Sequence, residues 1–488
     1  MVDDPGLLHD APSTPPRRIH LLGVAGTGMG SFAGMLKAAG YEVTGSDQNV
    51  YPPMSDMLRT WGIETLTPYA AENLEVARPD LVIVGNVIRR VNPEATAMRE
   101  RGLPHMSFPA ALGALFLARR HSIVVAGTHG KTTTSALLGH VLVRAGRDPS
   151  FLVGGVTRDY AGNFRLGQGA HFVVEGDEYD TAYFDKGPKF LHYRARTAIV
   201  TSVEFDHADI YRDMAHYESA FAKLIDTIPE DGNLVVCAGY PNAVDLAKAC
   251  RGRVITYSGT EGVLAEVQVR GVRYLPEGAR FEVLESGHPV AEVLLPMSGR
   301  HNVENAVSVW AAARAVGLSA AEVLEGLATF SGVKRRQEPR GEPGGVLVID
   351  DFAHHPTAVK ETVAGVHARW PDRRLLAVFE PRSNTSRRNI HQEEYAQAFD
   401  GASFAFLRTP EWTDRVPTGE ELDVARVSRE LTAHGIPCEA EPDVPTLVER
   451  VVARARPGDV VLVMSNGAFG GFIPTLMDAL AAAAPQRA

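Results

Sequence analysis

Cysteine is scarce: Cys237, Cys250 and Cys438 are the only three in 488 residues. They are too few and too scattered for a disulfide framework or a four-ligand zinc site, and a reducing cytoplasm fits such usage. Long apolar runs are missing too. Stretches such as 110–118 fall far short of the roughly 18–20 residues that span a bilayer. An excess of positive charge is also lacking. Its 49 Lys+Arg against 59 Asp+Glu leave −10, which argues against a sequence-independent grip on nucleic acid or on an anionic membrane. No low-complexity tract or solenoid period stands out. Residues 1–16 carry acids and prolines where a signal peptide needs a basic stretch and an apolar core, so residues 1–17 are expected to be a short flexible leader.

What is present is an ordinary globular balance, 45% apolar and 22% charged, in a chain long enough for about three domains. Three times the chain runs through a β-rich apolar segment, a glycine or polar turn and then a helical pattern, the mark of βαβ units in parallel sheets. The fold class expected is therefore α/β. The first block opens with Arg18–Leu22, passes through Gly23–Gly30 and continues as a helix to Ala39. The second opens at His121–Ala126 and has Leu137, Leu138, Val141 and Leu142 at helical spacing. From about Gly262 to Pro296 the pattern alternates without helix, which predicts antiparallel strands added to the parallel sheet. The charged stretch Lys334–Pro343 reads as a linker to a third block with strands near Val346, Leu375, Phe404 and Val460.

The most specific short signal is Gly127-Thr128-His129-Gly130-Lys131-Thr132-Thr133, between a strand and a helix. Turn glycines there let backbone N–H groups wrap phosphate oxygens, Lys131 adds a point charge, and Thr132 offers a hydroxyl to Mg²⁺. The string departs from the strict form of such loops, since Val125 stands where the leading glycine would be. The plainer alternative is a turn with an exposed lysine. Two later strands end in acids: Glu175, Asp177, Glu178 and Asp180 after one, and Glu204, Asp206, His207 and Asp209 after the next. Most loop carboxylates only solvate turns or cap helices. A histidine among acids at strand ends favours Mg²⁺, with Glu175 and His207 as candidate ligands, although imidazole is an unusual partner for so hard an ion.

In the first block Gly23, Gly26, Gly28 and Gly30 precede a helix, and Asp47 follows the next strand where a carboxylate meets a ribose hydroxyl. The spacing does not complete a dinucleotide fingerprint, because Ser31 stands where its last glycine belongs, and a nucleotide diphosphate such as UDP would use the same helix terminus. Asn302 and Asn305 open an alanine-rich helix and can pair with adenine, or be a cap and a solvated side chain. In the third block Asp350–Pro356, Glu380–Thr385 and Ser465–Gly471 each follow a strand, and together they suggest a pocket.

Taken together, the phosphate loop and the strings GSDQNVYPPMS, EYDTAYFDK, EFDHADI, DDFAHHPTA, EPRSNT and SNGAFGGF resemble the Mur ligases, ATP-dependent amide-forming enzymes of peptidoglycan synthesis. The resemblance covers about Arg18 to Leu480. It implies three domains: a Rossmann-like, UDP-binding one over 18–119, a central P-loop ATPase-like one over 120–332 with the added antiparallel strands, and a Rossmann-like one over 333–488. It implies ATP on Gly127, Thr128, His129, Gly130, Lys131, Thr132 and Thr133, and Mg²⁺ on Thr132, Glu175 and His207. His301, Asn302 and Asn305 would serve adenine, Asp351 the ribose, and Arg336 the phosphates, with His355 near the reacting centre and His207 or His355 as base.

Gly26, Gly28, Met29, Gly30 and Asp47 would take the sugar nucleotide, and Arg382, Ser383 and Asn466 the incoming peptide. The strings point to the branch that couples UDP-N-acetylmuramate to L-alanyl-γ-D-glutamyl-meso-diaminopimelate in murein recycling, with the L-alanine-adding branch as the alternative. The expectation is a cytoplasmic monomer or weak homo-oligomer. Phe221 stands where several members carry a carbamylated lysine, with Lys223 close by. A sensor that binds UDP-muramyl compounds without ligation, and an NAD dehydrogenase, are the readings from other classes.

Overall fold

Short apolar runs become strands because their residues are buried on both faces, as in Leu81–Val84, where all four are solvent-inaccessible. The computed structural model describes residues 5–52, 54–160, 162–208, 210–410 and 416–483. Asp209 of the acidic set and the first four residues of the expected leader lie outside the described residues. The chain divides into two compact units: Met1–Glu204 with Met214–Tyr257 and Ser308–Gly326, and Phe205–Asp213 with Ser258–Val307 and Leu327–Ala488.

The first unit holds two mainly parallel sheets. One has five strands, in the order Glu64–Leu66, Glu42–Ser46, Arg18–Leu22, Leu81–Val84, His105–Ser107. Its strand order reverses at Arg18–Leu22, so the turn before helix Thr27–Ala38 opens into the crevice where such sheets take ligands. Of the expected leader, Leu7 forms a parallel bridge with His105 and Leu8 N–H donates to His105 O at 2.9 Å, which ties that part to the sheet edge.

The second sheet of this unit runs Arg253–Tyr257, Asn233–Cys237, Thr197–Val200, His121–Ala126, His171–Gly176 and Ser150–Leu152 in parallel, then Phe164–Arg165 antiparallel. The acid-bearing strand His171–Gly176 and the strand Thr197–Val200 flank His121–Ala126 on either side. That register brings Glu175 and Glu204, at the ends of the two flanking strands, beside the phosphate loop.

In the second unit, Val267–Leu275, Gly278–Glu285 and His288–Leu295 form the expected antiparallel strands. A six-stranded sheet follows, in the order Glu338–Gly341, Leu347–Asp351, Val460–Met464, Leu375–Phe379, Phe404–Arg408, Cys438–Glu441, with only the first antiparallel. Alternation along its strands divides the core. Leu375, Ala377 and Phe379 pack on one face with Val460, Leu462 and Met464. Leu376 and Val378 pack on the other with Val461 and Val463. The stretch expected as a linker, Lys334–Pro343, is corrected in part: Glu338–Gly341 pairs along Leu347–Asp351 and forms the sheet's edge.

At the amino edge of the first unit's second sheet, the His121 ring lies 5.5 Å from His171, and its Nε2 is 2.8 Å from Thr197 Oγ1. Burial, reinforced by His171 and Arg196, pushes His121 down to about 4. The folded chain therefore binds this proton more weakly than the unfolded chain, and the stability it carries is lost as pH falls from about 6.5 toward 4. The unfolding midpoint is expected to drop between pH 7 and 5, and to drop less in His121→Gln. Equal slopes in calorimetry would contradict this.

Candidate active site

The phosphate loop of the first unit is built by two glycines in the left-handed half of backbone space, Gly127 at φ 130° and Gly130 at φ 80°. Gly130 caps helix Lys131–Arg144, whose terminus has no side-chain cap and no acid in its first turn. The next strand end braces the loop. Thr128 N–H donates to Ser202 O at 3.1 Å, His129 N–H to Ser202 Oγ at 2.9 Å, and Thr128 Oγ1 to Glu204 O at 2.9 Å. Thr201 Oγ1 donates to His129 O at 2.5 Å, and His129 Nε2 lies 2.8 Å from Glu204 Oε2.

Lys131 does not project into solvent. Its Nζ donates to Gly127 O at 2.6 Å and to Glu178 at 2.9 and 3.2 Å, with Glu178 1% exposed. Burial disfavours its ammonium, but Glu178, Asp177 and Glu175 outweigh that and raise its pKa. Thr132 Oγ1 donates to Glu175 Oε1 at 2.8 Å, and Gly154 N–H donates to Glu175 Oε2 at 2.6 Å. Burial, then the neighbouring Asp177, raises the Glu175 pKa. A hydroxyl and a carboxylate side by side are the oxygen donors a hard divalent cation takes, so Thr132 and Glu175 fit Mg²⁺. Thr133 is buried in the first turn. The carbamylated-lysine position holds Phe221, fully buried at 5.2 Å from the Tyr217 ring and 5.9 Å from Phe190, while Lys223 of the same helix is exposed.

On the first sheet, Gly26 precedes helix Thr27–Ala38, which contains Gly28, Met29 and Gly30 in its first turns. A Cβ at Gly30 would come 2.2 Å from Met54 Sδ. Asp47, expected at a ribose, spends its oxygens on the loop itself: Oδ2 accepts from Ala25 N–H at 2.9 Å, and Oδ1 from Gln48 N–H at 2.8 Å and Tyr69 O–H at 3.2 Å.

The remaining expected residues belong to the second unit. His207, at φ 53°, follows Asp206, whose Oδ1 accepts its N–H at 2.7 Å. Burial opposes charge on Asp206, yet His207, His354 and His355 hold it well below the usual carboxylate range. His355 caps helix Pro356–Arg369, with Nδ1 accepting from Thr357 N–H at 3.3 Å. Asp351 accepts from Gln337 N–H and Ala353 N–H, each at 2.7 Å, which commits both its oxygens to the backbone. Arg336 stacks 4.7 Å above the Phe352 ring.

Asn302 and Asn305 are both buried, which corrects the alternative of a solvated Asn305. Asn302 Nδ2 donates to Ser298 O at 2.8 Å, and Asn305 Nδ2 to Asn302 Oδ1 at 3.4 Å. His301 lies 3.4 Å from Gln337 Nε2, its pKa lowered mainly by burial. Arg382 lies against Gly467, the residue after Asn466: a Cβ there would fall 1.4 Å from Arg382 Nη1. Ser383 Oγ accepts from Ser386 N–H at 3.0 Å and holds its own turn. Sequence reasoning assigned no role to Glu178, Thr201, Ser202 or Tyr217, nor to the buried Glu380, whose carboxylate takes Ser465 O–H at 2.5 Å and the Arg408 guanidinium. Their only signal was position at strand ends, except for Tyr217, which lies within helix Met214–Asp226.

The chain matches the family models for the Mur ligase family, catalytic domain, over 18–120, the Mur ligase middle domain over 125–313 and the Mur ligase, glutamate ligase domain, over 335–467. It is 41% identical over 466 residues to the UDP-N-acetylmuramate–L-alanyl-γ-D-glutamyl-meso-2,6-diaminoheptandioate ligase of Escherichia coli strain K12, covering 95% of this chain and 98% of that protein. It is 34% identical over 459 residues to the UDP-N-acetylmuramate–L-alanine ligase of Salinibacter ruber, covering 92% of each. A murein peptide ligase structure from Psychrobacter arcticus matches at TM-score 0.70 and 36% identity, over 95% of this chain and 98% of that one. The chain belongs to the Mur ligase family and has its three-domain α/β fold. Among the described residues, no helix is long and apolar enough to cross a membrane.

A Cβ at Gly127 would sit 2.1 Å from Thr201 Oγ1 and 2.9 Å from Ser202 N. Gly127→Ala must therefore move the loop off its brace. Affinity for a non-hydrolysable ATP analogue is expected to fall by about ten-fold or more, roughly 1.4 kcal/mol. Unchanged affinity in calorimetry would contradict the loop's assignment.

Proposed function

We propose that this chain is an ATP-dependent acid:peptide ligase that joins the carboxylate of UDP-N-acetylmuramate to the amine of L-alanyl-γ-D-glutamyl-meso-diaminopimelate, a cytoplasmic step of murein recycling. The observation that carries the reading is the Lys131, Thr132 and Glu175 set on a braced glycine loop. The substrate pair is that of the relative at 41% identity; the alanine-adding relative stands at 34%. In this reading domains run over 18–119, 120–332 and 333–488, and the protein works as a monomer or weak homo-oligomer.

The triphosphate lies on the N–H groups of Gly127–Thr133, where Lys131 exchanges part of its bond to Glu178 for phosphate oxygens. Thr132, Glu175 and His207 would hold Mg²⁺, which supplies charge neutralisation on the phosphates. The sugar nucleotide occupies the terminus at Gly26–Gly30 with Asp47 shaping the loop. Its carboxylate takes the γ-phosphoryl group to give an acyl phosphate and ADP. The peptide amine, in its neutral form, then attacks the acyl carbon and phosphate leaves.

His301, Asn302 and Asn305 shape the adenine pocket, Asp351 orders the chain beside the ribose, and Arg336 faces the phosphates. Arg382, Ser383 and Asn466 receive the peptide. His355, held at the helix terminus by Thr357 N–H, stands near the reacting centre. His207 and His355 are the candidates to take the amine proton, His207 only in a state in which it does not hold the metal.

The test is an acceptor panel with UDP-N-acetylmuramate and ATP, read by phosphate release and product mass. The tripeptide is expected to give the UDP-muramyl tripeptide at least about 100-fold faster than L-alanine, and Lys131→Ala to lose at least about 1000-fold in kcat. Faster reaction with L-alanine would move the chain to the alanine-adding branch. Near-normal turnover of Lys131→Ala would remove the assignment of the loop, and nucleotide binding without ADP under any acceptor would favour a sensor.

A further inference from the structure

Ser31 is the residue that spoils the dinucleotide fingerprint, and its surroundings give it another task. Ser31 is fully buried in helix Thr27–Ala38. Its hydroxyl donates to Thr27 O at 2.6 Å. Having spent its one proton, Ser31 Oγ can only accept, and it does so from Asn163 Nδ2 at 2.5 Å. This fixes the orientation of the Asn163 amide, which is 1% exposed.

Asn163 closes the loop that leaves strand Ser150–Leu152. Val153 N–H donates to Asn163 O at 2.9 Å, and the next residue, Gly154, donates to Glu175 Oε2 at 2.6 Å. A Cβ at Gly154 would fall 2.7 Å from that oxygen, so the approach requires glycine. One turn along the same helix, the neighbouring Phe164 ring rests where a Cβ on Gly34 would be, 2.8 Å away, and packs edge-on to Trp61 at 5.3 Å. The loop is thus fastened to the helix at two adjacent points on one face.

A continuous path results: Thr132, Glu175, Gly154, Val153, Asn163, Ser31, Thr27. It joins the terminus of the phosphate-loop helix to the terminus of the glycine-loop helix, and every member lies in the first unit. We propose that Ser31 and Asn163 are positioning residues that couple the two nucleotide sites, so that a sugar nucleotide held at the Thr27 terminus sets Glu175 in the place that favours the triphosphate. The proposal rests on the function proposed above, in which those two termini hold UDP-N-acetylmuramate and ATP.

The experiment is calorimetric titration of Mg²⁺ and a non-hydrolysable ATP analogue into wild type, Ser31→Ala, Asn163→Ala and the double variant, each with and without saturating UDP-N-acetylmuramate. In wild type the sugar nucleotide is expected to tighten the analogue by about five-fold or more. Each single variant is expected to bring that factor to about two-fold or less while changing the Kd of the analogue alone by less than about two-fold, and the double variant to lose no more than either single one. In turnover, KM for ATP at saturating sugar nucleotide rises more than kcat falls. Retention of the full tightening in both single variants overturns the proposal, as does a wild type whose two ligands bind independently. Failure of wild type to bind UDP-N-acetylmuramate at all would instead overturn the function on which the proposal rests.

Discussion

Three carboxylates, Glu175, Asp177 and Glu178, stand within four residues at the end of one strand, and the site depends on offsetting their mutual repulsion in a buried place. Burying a carboxylate is costly unless a counter-charge and hydrogen bonds accompany it. The chain meets this with two ammonium groups. Lys131 takes Glu178, and Lys189 takes Asp177 at 3.0 Å while lying 4.0 Å over the Tyr179 ring. Among the described residues Glu175 has no hydrogen bond to a lysine and is held by a hydroxyl and a backbone N–H. It is therefore the member of the trio left with the strongest reason to take a divalent cation. The same balance keeps Lys131 folded back over its own loop, with its bond to Glu178 exchangeable for a phosphate.

In the second unit the solution is different in kind. Acids there are spent on architecture: Asp351 on two backbone amides, Glu380 on Ser465 and Arg408, Asp206 among histidines. What remains to face a ligand includes the donor Arg382 against Gly467. Such a donor suits a peptide that brings carboxylates, as the acidic end of the first unit suits a metal-bound phosphate.

Much of this was legible because it is local. A glycine turn between a buried strand and a helix, followed at once by lysine and threonine, needs no distant residue to be understood, and strands buried on both faces read as continuous apolar runs. The braces were not legible. Ser202 lies 73 positions from His129, Glu178 lies 47 from Lys131, and Asn163 lies 132 from Ser31, so nothing in a window of sequence joins them. The edge strands Glu338–Gly341 and Cys438–Glu441 escaped because each is only four residues long and carries too few apolar side chains to show a period, the second only Cys438 and Ala440, which pack partly buried against the core. Asp47 and Asp351 show the converse limit. A carboxylate at the right strand end reads as a ligand contact, and only geometry shows it already engaged with backbone amides.

The central claim is that the bend at Gly127–Thr132 receives a triphosphate beside Glu175. A crystal structure with an ATP analogue and Mn²⁺ tests it most directly. The account predicts the β- and γ-phosphates on the loop amides and Lys131, with the metal's anomalous signal on Thr132 and Glu175. A triphosphate lodged elsewhere, or a metal away from those two side chains, would contradict it.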